Sequence, residues 1–142
     1  MSIVLVDTSI WIDFFSSPDL PESIVVDELL ADGLVCTTGL IKAEVVPVAR
    51  TAGEYRQLRE FFDALPLVAE GDGFWEDAIR YQYLLKRGGV YKVSIPDLVI
   101  ATVALRNDKA IYTKDGEGPL CVECWRKTEE CKREEEELSK IV

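Results

Sequence analysis

Ile3-Val4-Leu5-Val6-Asp7-Thr8-Ser9 is the stretch on which the fold turns. Its four apolar, mostly β-branched residues predict a buried central strand, because a strand covered on both faces has no need of polar alternation. The strand ends on an acid, and Thr8-Ser9 opens a helix. In open parallel α/β sheets, ligands gather at the carboxyl ends of such strands.

The pattern repeats along the chain. From Pro21, residues Ile24, Val25, Leu29 and Leu30 predict an amphipathic helix that stops at Asp32-Gly33, and Leu34 to Cys36 predicts a second strand. Thr37-Thr38 can cap a helix whose apolar face is Leu40, Ile41, Val45 and Val48. A further helix carries Tyr55, Leu58, Phe61 and Phe62, and Leu65-Pro66-Leu67-Val68 suits an edge strand, where proline is tolerated. Phe74 to Arg87 predicts a helix with Trp75, Ile79, Leu84 and Leu85, closed by Gly88-Gly89. Ser94-Ile95-Pro96-Asp97 starts one that is apolar almost all round and should be the most buried. Ala110 to Thr113 predicts another strand, and a fifth is allowed at Leu120 to Trp125.

This order predicts an α/β fold, a three-layer α/β/α arrangement with a central parallel sheet of four or five strands. The 142 residues suit one domain, placed over residues 1–125. A charged helix or tail follows over 126–142.

Four acids interrupt apolar surroundings: Asp7, Glu44, Asp97 and Asp115. Three have local explanations. Asp7 can cap the helix after it, Asp97 makes an S-x-x-D capping pattern with Ser94, and Asp115-Gly116 is an ordinary turn pair. Glu44 has none, because a glutamate on an apolar helix face is costly to bury without a cation. Asp7 and Asp115 end strands while Glu44 and Asp97 lie in neighbouring helices, so all four can converge. Two carboxylates about 4 Å apart repel by roughly 4 kcal/mol at an effective dielectric of about 20, and a bound divalent ion would remove that repulsion.

Composition narrows the chemistry. Histidine is absent, which excludes Ser-His-Asp and Cys-His triads and imidazole-based zinc sites. Carboxylate-only ligands point to Mg²⁺, with Mn²⁺ as substitute. A net charge of −10 argues against a broad basic nucleic-acid surface, so contact with a nucleic acid must be local or metal-mediated. Cys121, Cys124 and Cys131 form C-x2-C-x6-C without a fourth ligand, which leaves thiols, a disulfide or a shared half-site open. No segment is long and apolar enough for a membrane span and no basic leader precedes Ile3, so a cytoplasmic protein is expected. Trp11 and Phe15 have helical spacing beside Phe14, which reads as core packing ahead of a partner-binding patch.

Val4-Leu5-Val6-Asp7-Thr8-Ser9-Ile10-Trp11-Ile12-Asp13, Gly39-Leu40-Ile41-Lys42-Ala43-Glu44-Val45, Pro96-Asp97-Leu98-Val99-Ile100-Ala101 and Thr113-Lys114-Asp115-Gly116-Glu117 resemble, in order and spacing, the four motifs of PIN-domain ribonucleases. The likeness is greatest to VapC-type toxins of toxin–antitoxin pairs. The resemblance implies that Asp7, Glu44, Asp97 and Asp115 are the catalytic, metal-binding quartet, with Glu117 a further acid and Ser9 and Thr113 supporting hydroxyls. It also implies Mg²⁺-dependent RNA cleavage, a homodimer and a cognate antitoxin. Competing readings are an RNA-processing nuclease, an aspartate-based phosphoryl-transfer domain, and a protein-binding module using the acidic surface with Trp11, Phe14 and Phe15.

Overall fold

The β-branched run does form a strand, β1 (Val4–Val6), and it lies at the centre of a parallel sheet. The computed structural model describes residues 3–114. In order after β1 come α1 (Thr8–Ser16), α2 (Pro21–Ala31), β2 (Val35–Cys36), α3 (Gly39–Val45), a 3₁₀ turn (Val46–Val48), α4 (Ala52–Asp63), α5 (Phe74–Arg87), α6 (Ile95–Arg106) and β3 (Ala110–Tyr112). The sheet order is β2-β1-β3. Leu5 faces Cys36 on one side and Ile111 on the other, and Leu5 and Val6 are fully buried.

The α/β class with a parallel sheet is therefore the one expected, with three strands among the described residues in place of four or five. Leu65 to Val68 contributes a single parallel bridge, Thr37 to Leu67, in which Thr37 N donates to Pro66 O at 3.0 Å and Val68 N to Thr37 O at 2.8 Å. Pro66 has no N–H, so the segment cannot extend a ladder and remains an edge. The segment 120–125, the cysteine cluster and the tail over 126–142 lie outside the described residues.

The described chain divides into two compact units, one of residues 3–70 with 103–114 and one of residues 71–102. In the first, Ile10, Trp11, Val26, Ile41, Val45 and Phe62 are buried with the strands. Trp11 is enclosed by aromatics: its ring centroid is 5.1 Å from that of Phe62, 5.5 Å from Phe61 and 5.6 Å from Phe14, each edge to face. Each such pair adds about 1 kcal/mol beyond area burial. Trp11 is thus core, while Phe15 keeps 41% of its surface exposed.

Two helices differ from their expected faces. The helix beginning at Gly39 ends at Val45, because Pro47 cannot donate a helical hydrogen bond and the chain tightens into the 3₁₀ turn. Val48 is consequently exposed instead of continuing the apolar face. In the second unit, α5 buries Phe74, Ala78, Leu84 and Leu85, and Val90 and Val93 pack on Leu85. Trp75 and Ile79, expected beside Leu84 and Leu85, point outward. Leu98 to Ala104 are buried without interruption, as an all-apolar helix requires.

Candidate functional site

Asp7 occupies the N-cap position of α1, yet its side chain makes no cap. The backbone does that work, with Ile10 N and Trp11 N both donating to Asp7 O. The carboxylate is turned elsewhere: Oδ2 accepts from Ser9 Oγ at 2.8 Å and from Thr113 Oγ1 at 3.2 Å. Asp7 N donates to Tyr112 O at 2.9 Å, so the last rung between β1 and β3 fixes both sides of that contact. The residue is buried, and the positive end of the α1 dipole favours its charge.

Glu44 enters from α3, which starts with Thr38 Oγ1 accepting from Ile41 N at 3.3 Å. Ile41 and Val45 anchor that helix in the core and hold Glu44 half-buried at its edge. Thr8, the residue after Asp7, donates its hydroxyl to Glu44 Oε1 at 2.8 Å. The two acids are therefore joined to the same turn of α1.

Both carboxylates have one oxygen that takes no hydrogen bond among the described residues, Asp7 Oδ1 and Glu44 Oε2. Nor does a Lys or Arg among the described residues pair with either acid. Lys42, the nearest base in sequence to Glu44, donates instead to Asp63 at 2.6 Å and holds that carboxyl below its usual range. Lys114 pairs with Asp13 of α1. Anionic oxygens with hydroxyl donors and no basic partner are a fitting donor set for a hard divalent cation.

Asp97 lies in the first turn of α6, in the second unit, half-buried, with its N–H donating to Ser94 Oγ at 3.2 Å. The Ser94 half of the predicted capping pattern is formed. Asp115 and Glu117 fall outside the described residues. Among the described residues, no group of three or more acids, cysteines or histidines is gathered as a metal site. Of the residues named from sequence, Ser9 and Thr113 meet Asp7, and Glu44 is held by Thr8, the residue next to Asp7. Sequence reading missed Thr8 as the donor to Glu44 and Asp13 as the partner of Lys114; both stand within the opening motif, but nothing local marks a contact made 36 or 101 residues away.

An open apolar groove of about 530 Å³ also lies in the first unit. Ile12 and Phe15 of α1, Val48, and Leu58 and Phe61 of α4 line it, with Arg50 and Glu54 at its polar part. Of the aromatics proposed as a partner patch, Phe15 lines this groove.

A family model described as the PIN domain matches residues 4–117. No curated protein matches the chain. Among solved structures, VapBC2 from Rickettsia felis bound to a DNA fragment from their promoter aligns with a TM-score of 0.64 at 15% identity, over 80% of this chain and 88% of that one. A toxin–antitoxin complex from Klebsiella pneumoniae aligns with a TM-score of 0.63 at 19% identity, over 85% and 93%. At such identities the likeness is one of fold. No helix among the described residues is long and apolar enough to cross a membrane.

Proposed function

The chain belongs to the PIN-domain family, a family of nucleases, and from that membership we propose that it is a metal-dependent endoribonuclease acting as the toxin of a toxin–antitoxin pair. The observation that carries the reading is the Asp7 carboxylate, buried at the end of β1, unused as a helix cap and held by Ser9 and Thr113 with no basic partner among the described residues. Glu44, fixed through Thr8, is the second acid of the same site. Asp97 and Asp115 complete the proposed quartet, with Glu117 as a further acid.

In this reading the carboxylates hold Mg²⁺, or Mn²⁺ in its place. A bound divalent ion lowers the pKa of a coordinated water and neutralises charge building on a phosphodiester. The chain's own contribution is positional. Ser9 and Thr113 orient Asp7 through Oδ2 and leave Oδ1 free to ligate; Thr8 does the same for Glu44 through Oε1 and leaves Oε2. With no histidine in the chain, a proton leaving the attacking water must pass to a carboxylate or to solvent. RNA as substrate is supported by the motif resemblance. The two toxin–antitoxin complexes among the fold neighbours support an antitoxin partner, for which the groove of Ile12, Phe15, Val48, Leu58 and Phe61 is the proposed seat.

The test is cleavage of single-stranded RNA by purified protein with Mg²⁺ or Mn²⁺, with EDTA, and with Asp7→Asn. Cleavage lost on chelation and in the variant is expected. Equal cleavage by wild type and Asp7→Asn would remove the site from the reaction.

A further inference from the structure

The longest stretch without an acid in this chain of net charge −10 runs from Ala78 to Pro96, and it carries Arg80, Lys86, Arg87 and Lys92. All four bases are exposed. They are interleaved with aromatics that also stay outside: Tyr83 on α5 is 50% exposed and Tyr91, in the loop after it, 71%. Neither ring is loosely hung. The Arg87 guanidinium lies over the Tyr83 ring, 5.9 Å from its centroid, and donates to the Tyr83 hydroxyl at 3.2 Å. Gly89, at φ 91°, turns the chain back, so that Val90 N donates to Leu85 O at 2.8 Å and Val90 and Val93 pack on Leu85. Tyr91 and Lys92 are exposed between those two anchored valines.

We propose that the second half of α5 and the loop over 88–94 bind a single-stranded stretch of RNA, its bases stacked on Tyr83 and Tyr91 and its phosphates paired with Lys86, Arg87 and Lys92. This rests on the nuclease reading, to which it adds where the substrate strand is held. Charge and ring chemistry together select the occupant. Phosphate neutralisation by Lys and Arg supplies the sequence-independent part of nucleic-acid affinity, and an exposed aromatic face takes any base that is not already paired. A duplex offers the first and withholds the second. An acidic peptide would satisfy the bases and leave the rings unused, whereas an apolar helix would cover the rings and bury charges without partners. The helix dipole accounts for Lys86 and Arg87 in the last turn of α5, but not for Lys92 or for two exposed rings beside them. Toward the start of α5 the helix turns acidic, with Glu76 and Asp77 in the first turn, which confines the track to the basic half. At its other end the track runs into Asp97, five residues past Lys92 and in the same unit. A strand held on Tyr91 and Lys92 is thus delivered to the helix start that carries one of the four proposed acids.

Fluorescence anisotropy of a labelled oligouridylate of about ten nucleotides, titrated with the protein in EDTA, reads binding without cleavage. Wild type should bind it more tightly than the same strand annealed to its complement. Affinity should fall with salt at a log–log slope of about −2, as three phosphates on a single strand require, and Lys92→Gln should reduce that slope by about 0.7. Tyr91→Ala should weaken binding at least about fivefold, with Tyr91→Phe close to wild type, because the ring and not the hydroxyl stacks. Both positions are exposed, and unchanged circular dichroism identifies the variants as folded. A wild type that does not bind, binding indifferent to Tyr91→Ala and Lys92→Gln, or a duplex held as tightly as the single strand overturns the proposal. Cleavage of RNA without these dependences would leave the nuclease reading standing and remove this surface; binding as stated without cleavage would do the reverse.

Discussion

Thr8 gives its hydroxyl to Glu44 at 2.8 Å, while the residue before it, Asp7, is the acid at the end of the central strand. One turn of α1 thus holds two carboxylates, Asp7 through Ser9 and Glu44 through Thr8, the latter across 36 residues. Thr8→Val should remove that link with little change of volume. A hydrogen bond to a charged group contributes about 1.5–3 kcal/mol, so RNA cleavage should fall by at least about tenfold, with Thr8→Ser close to wild type. Steady-state cleavage rates of the two variants check this, and a Thr8→Val protein as active as wild type would contradict it.

Glu44 sits in the last turn of α3, where the helix dipole disfavours an anion. Removing its charge relieves that by on the order of 0.5 kcal/mol but weakens the bond from Thr8 by a comparable amount, so the stability of metal-free protein should change by under about 1 kcal/mol. The same Glu44→Gln variant should lose most of the rise in Tm that Mg²⁺ or Mn²⁺ produces in wild type, since a ligand stabilises only the state that binds it. Thermal melts with and without metal separate the two effects. A variant several kcal/mol less stable than wild type in EDTA would show that Glu44 stabilises the fold by itself.

Burial pushes the Cys36 thiol above its ordinary value of 9.0, opposed by Lys109 and by a backbone hydrogen bond. A raised folded pKa means that this contribution to stability is complete below about 9, the unfolded value, and is lost as pH rises through the folded one. Denaturation midpoints should fall on the alkaline side, and Cys36→Val should flatten that limb. The thiol, 1% exposed, should also resist iodoacetamide until the chain unfolds. Rapid labelling of folded protein at neutral pH would refute the assignment.

Lys114 pairs with Asp13 while its neighbour Thr113 donates to Asp7, so successive residues after β3 hold two points of α1. Asp13→Asn should cost under about 1 kcal/mol of stability, as partly exposed pairs do. Its effect on RNA cleavage should be the larger one, because it loosens the residue that holds Asp7. The charge-reversed pair Asp13→Lys with Lys114→Asp should recover part of the loss. A double-mutant cycle with no coupling in cleavage rate would assign the pair a surface role only.

Much of the architecture was legible because its signals are local. Thr38 caps α3 where a hydroxyl precedes a helical run, and Gly89, at φ 91°, ends α5 as only glycine does readily. The proline at 66 announced an edge and permitted only a bridge. The site was legible in part. Glu44 stood out because nothing nearby explained it, whereas Asp7 was indistinguishable from a helix cap until its rotamer and the reach of Thr113 were known.

Composition, β-branched runs, caps and stops determined the strand and helix order and the chemistry available, because each depends on neighbours within a few residues. Only the tertiary structure decided that the Asp7 carboxylate turns from its own helix to a hydroxyl 106 residues away, that Thr8 serves Glu44, and that Trp75 and Ile79 face outward. Periodicity states which side chains share a face of a helix. Which face is covered depends on what the rest of the chain packs against it, and that is a property of the folded whole.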